Sequence, residues 1–483
     1  MTSLKQRALS ATAWSGADIL LRNGVQFVVS VALARLLSPE DFGVIAMLYL
    51  FTGVAGAFVD SGFSTALIRQ QDTTHVDEST VFWFNLAIGS VLALSMVALS
   101  RHIAAYFGHP VLVPLAWAMA ANIFISALSS IHVTLLTKKL EFRSQMKIGL
   151  AASLVSGAVA IWMAKAGSGV WALAAQVVSA SVCTTAMLWW VSSWRPRWEF
   201  SFSSARRLFG FGSYMLGSSL LDIFYTRLYS VLIGKQFGAR DLGFYSRADG
   251  TKQLPVGVLT GILSRVALPV FSKVSGDPEK LRRGVRMSLS GMMLINVPMM
   301  FGLAAVAEVF IVAVLGEQWL PAAPILQVLC LAGVFWPLHV INLNVLLAQG
   351  YSNLFFRLEV IKKVLGISLL LLGSLYGIMG IAWSTVLFGA LAFLINAYYT
   401  KQFLDYGAFQ QTKDFLPVTL ISLIMFAIVR RASTSWAPQP AIELMALVAL
   451  GALVFVGLAH LLSIRSYRDA AATLRSALAK NQE

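Results

Sequence analysis

The sequence predicts an all-α integral membrane protein of about fourteen transmembrane helices, arranged as two pseudo-symmetric six-helix lobes followed by two extra C-terminal helices. Three observations predict it. Hydrophobic residues make up 58% of the 483 and charged residues only 12%, well beyond the apolar share of a soluble domain. Charge-free runs such as Phe42 to Val59, Val81 to Ser100, Pro110 to Ile131, Ala166 to Trp194 and Met287 to Ala307 approach or exceed the roughly 20 residues a spanning helix needs. They are continuous and rich in Leu, Ala and Val, unlike the alternating segments of about ten residues that build a barrel. Finally, one element occurs twice. Ala34-Arg35 followed by Glu40-Asp41-Phe42-Gly43 is echoed by Gly234-Lys235 followed by Arg240-Asp241-Leu242-Gly243, with Leu20-Leu21 matching Leu220-Leu221 and Ser30-Val31 matching Ser230-Val231. Leu140 to Arg143 echoes Leu354 to Arg357 in the same way. Such duplication in a membrane chain points to a transporter whose site lies at the repeat interface.

Taken in order, the spans are expected to begin near residues 13, 42, 80, 111, 148, 169, 208, 254, 286, 321, 360, 381, 415 and 441, each set by apolar length. The Gly373-Ser374-Leu375-Tyr376-Gly377 cluster with Gly380 marks where the run from Val364 to Thr400 turns back. Residues 1–207 form the N-terminal six-helix lobe, 208–404 the second, and 405–483 the two additional helices with a tail. Assigning the amino terminus to the cytoplasm puts about 25 of the 37 Lys and Arg on that side, so the positive-inside rule places both termini there.

The net charge of +15 follows from that asymmetry and from anionic lipid, not from nucleic acid. Lys5, Arg7 and Ala32-Leu33-Ala34 imitate a secretory leader, but Asp18 and Arg22 interrupt its apolar core, which argues against cleavage. Cys183 and Cys330 fall within spans without metal-ligand spacing and read as packing residues. His132, His339 and His460 also fall within spans and read as packed or interfacial histidines. The longest expected connections, near Trp194 to Leu208, Lys235 to Lys252 and Lys273 to Arg286, are too short for a soluble catalytic domain. No Walker loop, Rossmann fingerprint or His/Cys cluster is present, so no catalytic residue, cofactor or metal is expected.

Arg22, Arg227 and Arg265 fall at span depth, as do Asp18, Asp60 and Asp222. Each costs roughly 2.5 to 3.5 kcal/mol facing lipid, so together they are expected to line a wet interior between the lobes. Asp18 and Arg22, at i and i+4, form either a structural ion pair or the start of a polar stripe that Gln26 extends. Asp222, Tyr225 and Tyr229 share a helix face, with Arg227 about 140° away from Asp222. Arg265 lies near half depth of a span that Pro255 and Pro269 bracket, where the prolines mark either a break that frees backbone groups or an ordinary structural kink. Asp60 serves either as a coupling carboxylate or as a helix–helix hydrogen-bond partner. The planar guanidinium fork binds phosphate bidentately at any working pH, so several arginines favour an anionic, phosphate-bearing substrate. Arg22, Arg227 and Arg265 are the candidate ligands, Arg35 and Lys235 the outer entrance, and Asp18, Asp60 and Asp222 the coupling or gating carboxylates. Tyr225, Tyr229 and Tyr245 are placed either to stack on sugar rings or to anchor span ends.

Ala34-Arg35-Leu36-Leu37-Ser38-Pro39-Glu40-Asp41-Phe42-Gly43, Asp60-Ser61-Gly62-Phe63, Ser79 to Asn85, Gly243 to Ala248, Gln253-Leu254-Pro255 and Pro269-Val270-Phe271-Ser272 together resemble one known group. It is the Wzx-type polysaccharide transporter branch of the multidrug/oligosaccharidyl-lipid/polysaccharide flippase superfamily, nearest its colanic-acid and succinoglycan exporters. The resemblance covers nearly the whole chain. It implies alternating access and transfer of an undecaprenyl-diphosphate-linked oligosaccharide across a bacterial inner membrane for exopolysaccharide or lipopolysaccharide synthesis. It also implies a monomer working beside membrane lipids, a polysaccharide polymerase and a chain-length regulator. Two rivals stand: a cation-coupled multidrug antiporter on the same scaffold, disfavoured by three span-depth arginines, and an integral-membrane glycan polymerase, which needs a large outer loop or carboxylate motif that is lacking.

Overall fold

A computed structural model describes residues 21–60, 63–70, 72–433, 439–464 and 466–468. Their regular structure is helical, with no strand among the described residues. The chain divides into two compact units, Met1–Gly243 and Phe244–Glu483.

The first unit opens with α1 (residues 21–36), then α2 (Pro39–Met47), α3 (Tyr49–Asp60) and α4 (Phe63–Arg69). Ser38 starts α2 through a capping box: its hydroxyl accepts from the Asp41 amide at 3.2 Å, and the Asp41 carboxylate accepts from the Ser38 amide at 2.9 Å. Two otherwise orphaned donors are thereby satisfied at a helix start. The apolar run from Phe42 to Val59 is not one rod, because α2 and α3 meet at 45° around Leu48. Thr74 and Asp77 repeat the capping box at the start of α5 (His75–Phe107). Gly108, left-handed at φ 75°, ends α5 before α6 (Leu112–Lys138). Then come α7 (Phe142–Lys165), α8 (Val170–Val191) and α9 (Phe202–Gln236).

Helix α5 pairs with α6 and α7 with α8, while α9 lies along α3, α4 and α5. Phe63, Leu67, Phe82 and Ile131 form the apolar core where α4, α5 and α6 meet. The aromatic connection after α8 is stitched onto the first turns of α5. Arg197 and Ser201 donate their amides to the hydroxyls of Ser79 and Thr80 at 3.2 and 3.0 Å, and Trp83 Nε1 donates to the Arg197 carbonyl at 2.8 Å. His132 is fully buried and meets Trp189 and Trp194 edge-on, as expected of a packing residue.

Helix α10 (Ala239–Lys273) starts in the first unit and continues into the second. It corrects one expectation and decides between the two readings of another. Residues 239–252 are helix rather than connection; the chain turns at Phe237 and Gly238, and the charges of Arg240, Asp241, Arg247, Asp249 and Lys252 disguised the helix as a loop. Nor do Pro255 and Pro269 break it, since α10 runs through both.

The second unit holds α11 (Pro278–Ala305), α12 (Ala307–Val314), α13 (Ala322–Val334), α14 (Trp336–Ala348), α15 (Ser352–Ser374), α16 (Gly377–Leu404), α17 (Ala408–Ala432) and α18 (Pro440–Leu461). Asp277 caps α11, and hydrogen bonds from Lys280 hold its exposed carboxyl below the usual carboxylate range. Helices α15 and α16 turn back at the expected glycines. A Cβ on Gly373 would lie 2.6 Å from the Gly380 carbonyl oxygen, and one on Gly380 2.2 Å from that of Gly373. Only glycine permits that approach. The buried amides of Asn342 and Gln411 pair head to tail at 3.0 and 2.8 Å, tying α14 to α17.

Among the described residues nine helices, α13 and α14 together counting as one, are long and apolar enough to cross a membrane, or ten if α2 and α3 form one bent span. The protein is therefore multi-pass. Helices α9, α10 and α15 fall outside that set; they occupy expected segments but carry the charges, from Arg206 to Lys235, Arg240 to Lys273 and Arg357 to Lys363.

Candidate functional site

Helix α3 carries one face that matters, Tyr49, Thr52, Gly56 and Val59. Their spacing of three, four and three residues stacks them along the axis. At its first position, the Arg227 guanidinium of α9 lies over the Tyr49 ring, 5.3 Å from its centroid. One turn further, Thr52, Gly56 and Val59 line a groove of about 450 Å³ with Ser64 of α4 and a polar stripe of α6. That stripe is Asn122, Ser126, Ser130, Thr134 and Thr137. Among the described residues, neutral hydroxyls and one amide supply the groove's polar side chains, and none that lines it is charged.

Several of the hydroxyl protons are engaged inside the protein. Thr52 donates to the Leu48 carbonyl at 3.1 Å, Thr137 to the Val133 carbonyl at 2.9 Å, and Thr134 lies 2.9 Å from Ser64 Oγ and 3.0 Å from the Ser130 carbonyl. Ser181 donates to the side-chain oxygen of Asn122. Each hydroxyl oxygen keeps acceptor capacity once its proton is used. The groove thus presents oxygen acceptors beside the Asn122 amide, with the Arg227 cation one turn away at the end of the same α3 face.

Arg227 and Lys235 each meet a residue outside the predicted set, Tyr49 and Tyr106. Arg227 is half-buried and paired with Tyr49. Lys235 donates from Nζ to the Tyr106 carbonyl at 2.5 Å and lies 4.8 Å from that ring's centroid, fixing the end of α9 to the end of α5. Asp222 is exposed and Tyr225 and Tyr229 are half-buried on α9, all three engaged with neighbours. Arg22 and Arg35 are exposed on α1 and likewise engaged. Tyr245 is buried in α10. Asp18 lies outside the described residues, as do the side chains of Asp60 and Arg265, so Arg265 is placed only by its backbone in α10 and Asp60 only as the last residue of α3. Sequence reasoning missed the groove, because a search for costly charges passes over hydroxyls. The signal was present as Asn122, Ser126, Ser130, Thr134 and Thr137 at steps of four, four, four and three along one apolar helix.

An all-α, multi-pass scaffold carrying a polar groove among apolar helices defines a membrane transporter class of fold. Residues 32–324 match the family described as "Polysaccharide biosynthesis protein". The chain belongs to that family, which bears out the resemblance read from the sequence. It is 29% identical over 471 residues to the teichuronic acid biosynthesis protein TuaB of Bacillus subtilis (strain 168), covering 94% of this chain and 96% of that one. It is 26% identical to the succinoglycan biosynthesis transport protein ExoT of Rhizobium meliloti (strain 1021), covering 89% and 88%. Among solved structures, the inward closed conformation of the lipid II flippase MurJ superposes with a TM-score of 0.77 at 18% identity, over 95% of this chain and all of that one. That likeness concerns the fold.

Proposed function

We propose that the protein is an alternating-access flippase that carries an undecaprenyl-diphosphate-linked oligosaccharide across the bacterial inner membrane for exopolysaccharide or lipopolysaccharide synthesis, with both termini cytoplasmic. The observation that carries this reading is the family match, which runs over α3, α6 and α9 and so over the groove and Arg227. A diphosphate needs cations, which Arg22, Arg227 and Arg265 supply, with Arg35 and Lys235 at the outer entrance. A glycan presents hydroxyl donors, which the acceptor oxygens of Ser64, Ser126, Ser130 and Thr134 receive, while Tyr225 and Tyr229 offer faces for sugar rings. Asp18, Asp60 and Asp222 are the carboxylates proposed for coupling or gating. The protein acts as a monomer beside a polysaccharide polymerase and a chain-length regulator, and its two last helices α17 and α18 are additions to two six-helix lobes.

The test is reconstitution. Purified protein in liposomes should make diphosphate-linked oligosaccharide placed on one leaflet accessible on the other. Arg227→Ala should slow that transfer about 10- to 100-fold at equal protein abundance, the loss of one charged hydrogen-bond partner of roughly 1.5 to 3 kcal/mol. Failure to move any such lipid, together with gradient-driven efflux of a cationic dye, would establish the antiporter instead.

A further inference from the structure

A second and larger cavity lies wholly in the second unit. It occupies about 1430 Å³ between α11, α17 and the turn that follows α18. Its rim carries five basic side chains, Arg282, Arg283, Arg286, Lys413 and Arg468, against two acidic ones, Glu279 and Asp414. One of those carboxylates is already committed. Asp414 receives the Arg286 guanidinium at 2.5 Å and the Tyr406 hydroxyl at 2.8 Å. Burial, and then the Asp414 carboxylate, raise the Tyr406 phenol above its usual range, so it remains a donor. Arg282 lies 3.8 Å from Asp405 at the exposed surface. Arg283, Lys413 and Arg468 meet no carboxylate among the described residues, leaving the rim with an excess of positive charge.

Below the rim the chemistry changes on both helices at the same level. On α11 the last charge is Arg286 and the charge-free run begins at Met287; on α17 Asp414 ends the N-terminal charges and none follows from Phe415 until Arg430. Met287 and Gly291 of α11 face Pro417, Leu420 and Ile424 of α17 across the cavity. From Arg283 to Gly291 and from Lys413 to Ile424 the wall descends about 12 to 16 Å. A Cβ on Gly291 would meet nothing within 4 Å, so the space beside it is open. A soluble anion would use only the rim, whereas a cationic rim above an apolar wall complements a molecule with an anionic head and a hydrocarbon chain.

The geometry points to a resident anionic phospholipid of the bilayer, its phosphate at Arg283, Lys413 and Arg468 and an acyl chain against Met287, Gly291 and Leu420. This lipid is bound from the surrounding leaflet and is not transported; the site stands whether or not the cargo proposed above is correct. It gives α17 and α18 a lipid-dependent role.

The test uses the full-length protein, delipidated in detergent and titrated with phosphatidylglycerol or phosphatidylcholine under native mass spectrometry, with thermal unfolding in parallel. Phosphatidylglycerol should bind at least tenfold more tightly and raise the unfolding temperature. Neutralising both cations in Arg283→Gln/Lys413→Gln should weaken it about 25-fold, fivefold per residue, which corresponds to about 1 kcal/mol each near an anionic head group. Gly291→Trp, whose side chain enters open space, should exclude the lipid while leaving the unfolding temperature of the lipid-free protein unchanged. Equal binding of the two lipids, or unaltered phosphatidylglycerol binding by both variants, would overturn the proposal. So would displacement of the lipid by inorganic pyrophosphate at equal concentration, which would assign the rim to a free phosphate anion.

Discussion

The two copies of the repeated element, residues 34–43 and 234–243, reach the same contact by different local means. In both, a long helix ends with the same backbone bond, Leu37 amide to Leu33 carbonyl at 2.9 Å and Phe237 amide to Ile233 carbonyl at 2.8 Å. In both, the next helix starts two residues later, at Pro39 and at Ala239. The copies then touch each other reciprocally. A Cβ on Gly43 would lie 1.6 Å from the Ala239 carbonyl oxygen, and one on Gly243 1.9 Å from that of Pro39. The pairing of 43 with 239 and of 243 with 39 is the self-complementary pattern of a two-fold contact. The turns differ. Ser38 is extended at φ −76° and caps α2 with its side chain, whereas the equivalent Gly238 is left-handed at φ +87°. The shared feature is the backbone-to-backbone approach, and the turn leading into it is free to vary.

That comparison breaks most severely at the glycines. Gly43→Ala and Gly243→Ala each force the helix starts apart and should destabilise by about 1 to 3 kcal/mol, as overpacking does. Because both occupy one contact, the double variant should cost less than the sum of the singles. Thermal or denaturant unfolding of the four proteins decides it, and strict additivity would mean that the glycines do not share an interface.

The turns should separate the copies. At position 238, alanine brings a left-handed penalty of about 1 to 2 kcal/mol. At position 38, Ser38→Ala removes a cap worth about 1 kcal/mol, while Ser38→Gly costs only a few tenths. Unfolding midpoints that are indifferent to Gly238→Ala would show that the backbone there relaxes. A small effect is also expected at Lys235→Met, which loses a contact with the Tyr106 ring worth about 0.5 to 1 kcal/mol at an exposed site. Limited proteolysis near Tyr106 and Phe237 would register the loosened helix ends.

How much of this was legible follows the range of the forces. The repeat, the Gly373–Gly380 turn and the long apolar helices were readable because each depends on neighbours in sequence. Residues 239–252 misled because their charges mimic a loop, although the helix start is set by the turn at Phe237 and Gly238. Arg227 was found by its cost in an apolar helix, but its partner Tyr49 was not, since the two, on α9 and α3, lie 178 positions apart in the chain. The groove was missed because Thr52, Ser64 and Ser130 come from three helices and each is unremarkable alone.

The sequence by itself determined that this chain is helical, apolar and duplicated, for a physical reason: backbone polar groups in hydrocarbon must be satisfied within their own segment, so each spanning stretch declares itself locally. Only the tertiary structure decided which polar side chains meet. The Gly43–Ala239 approach, the cation over Tyr49, the acceptor-lined groove and the basic rim over α11 and α17 join residues distant in the chain. Such groupings exist only once helix packing has fixed which faces oppose one another.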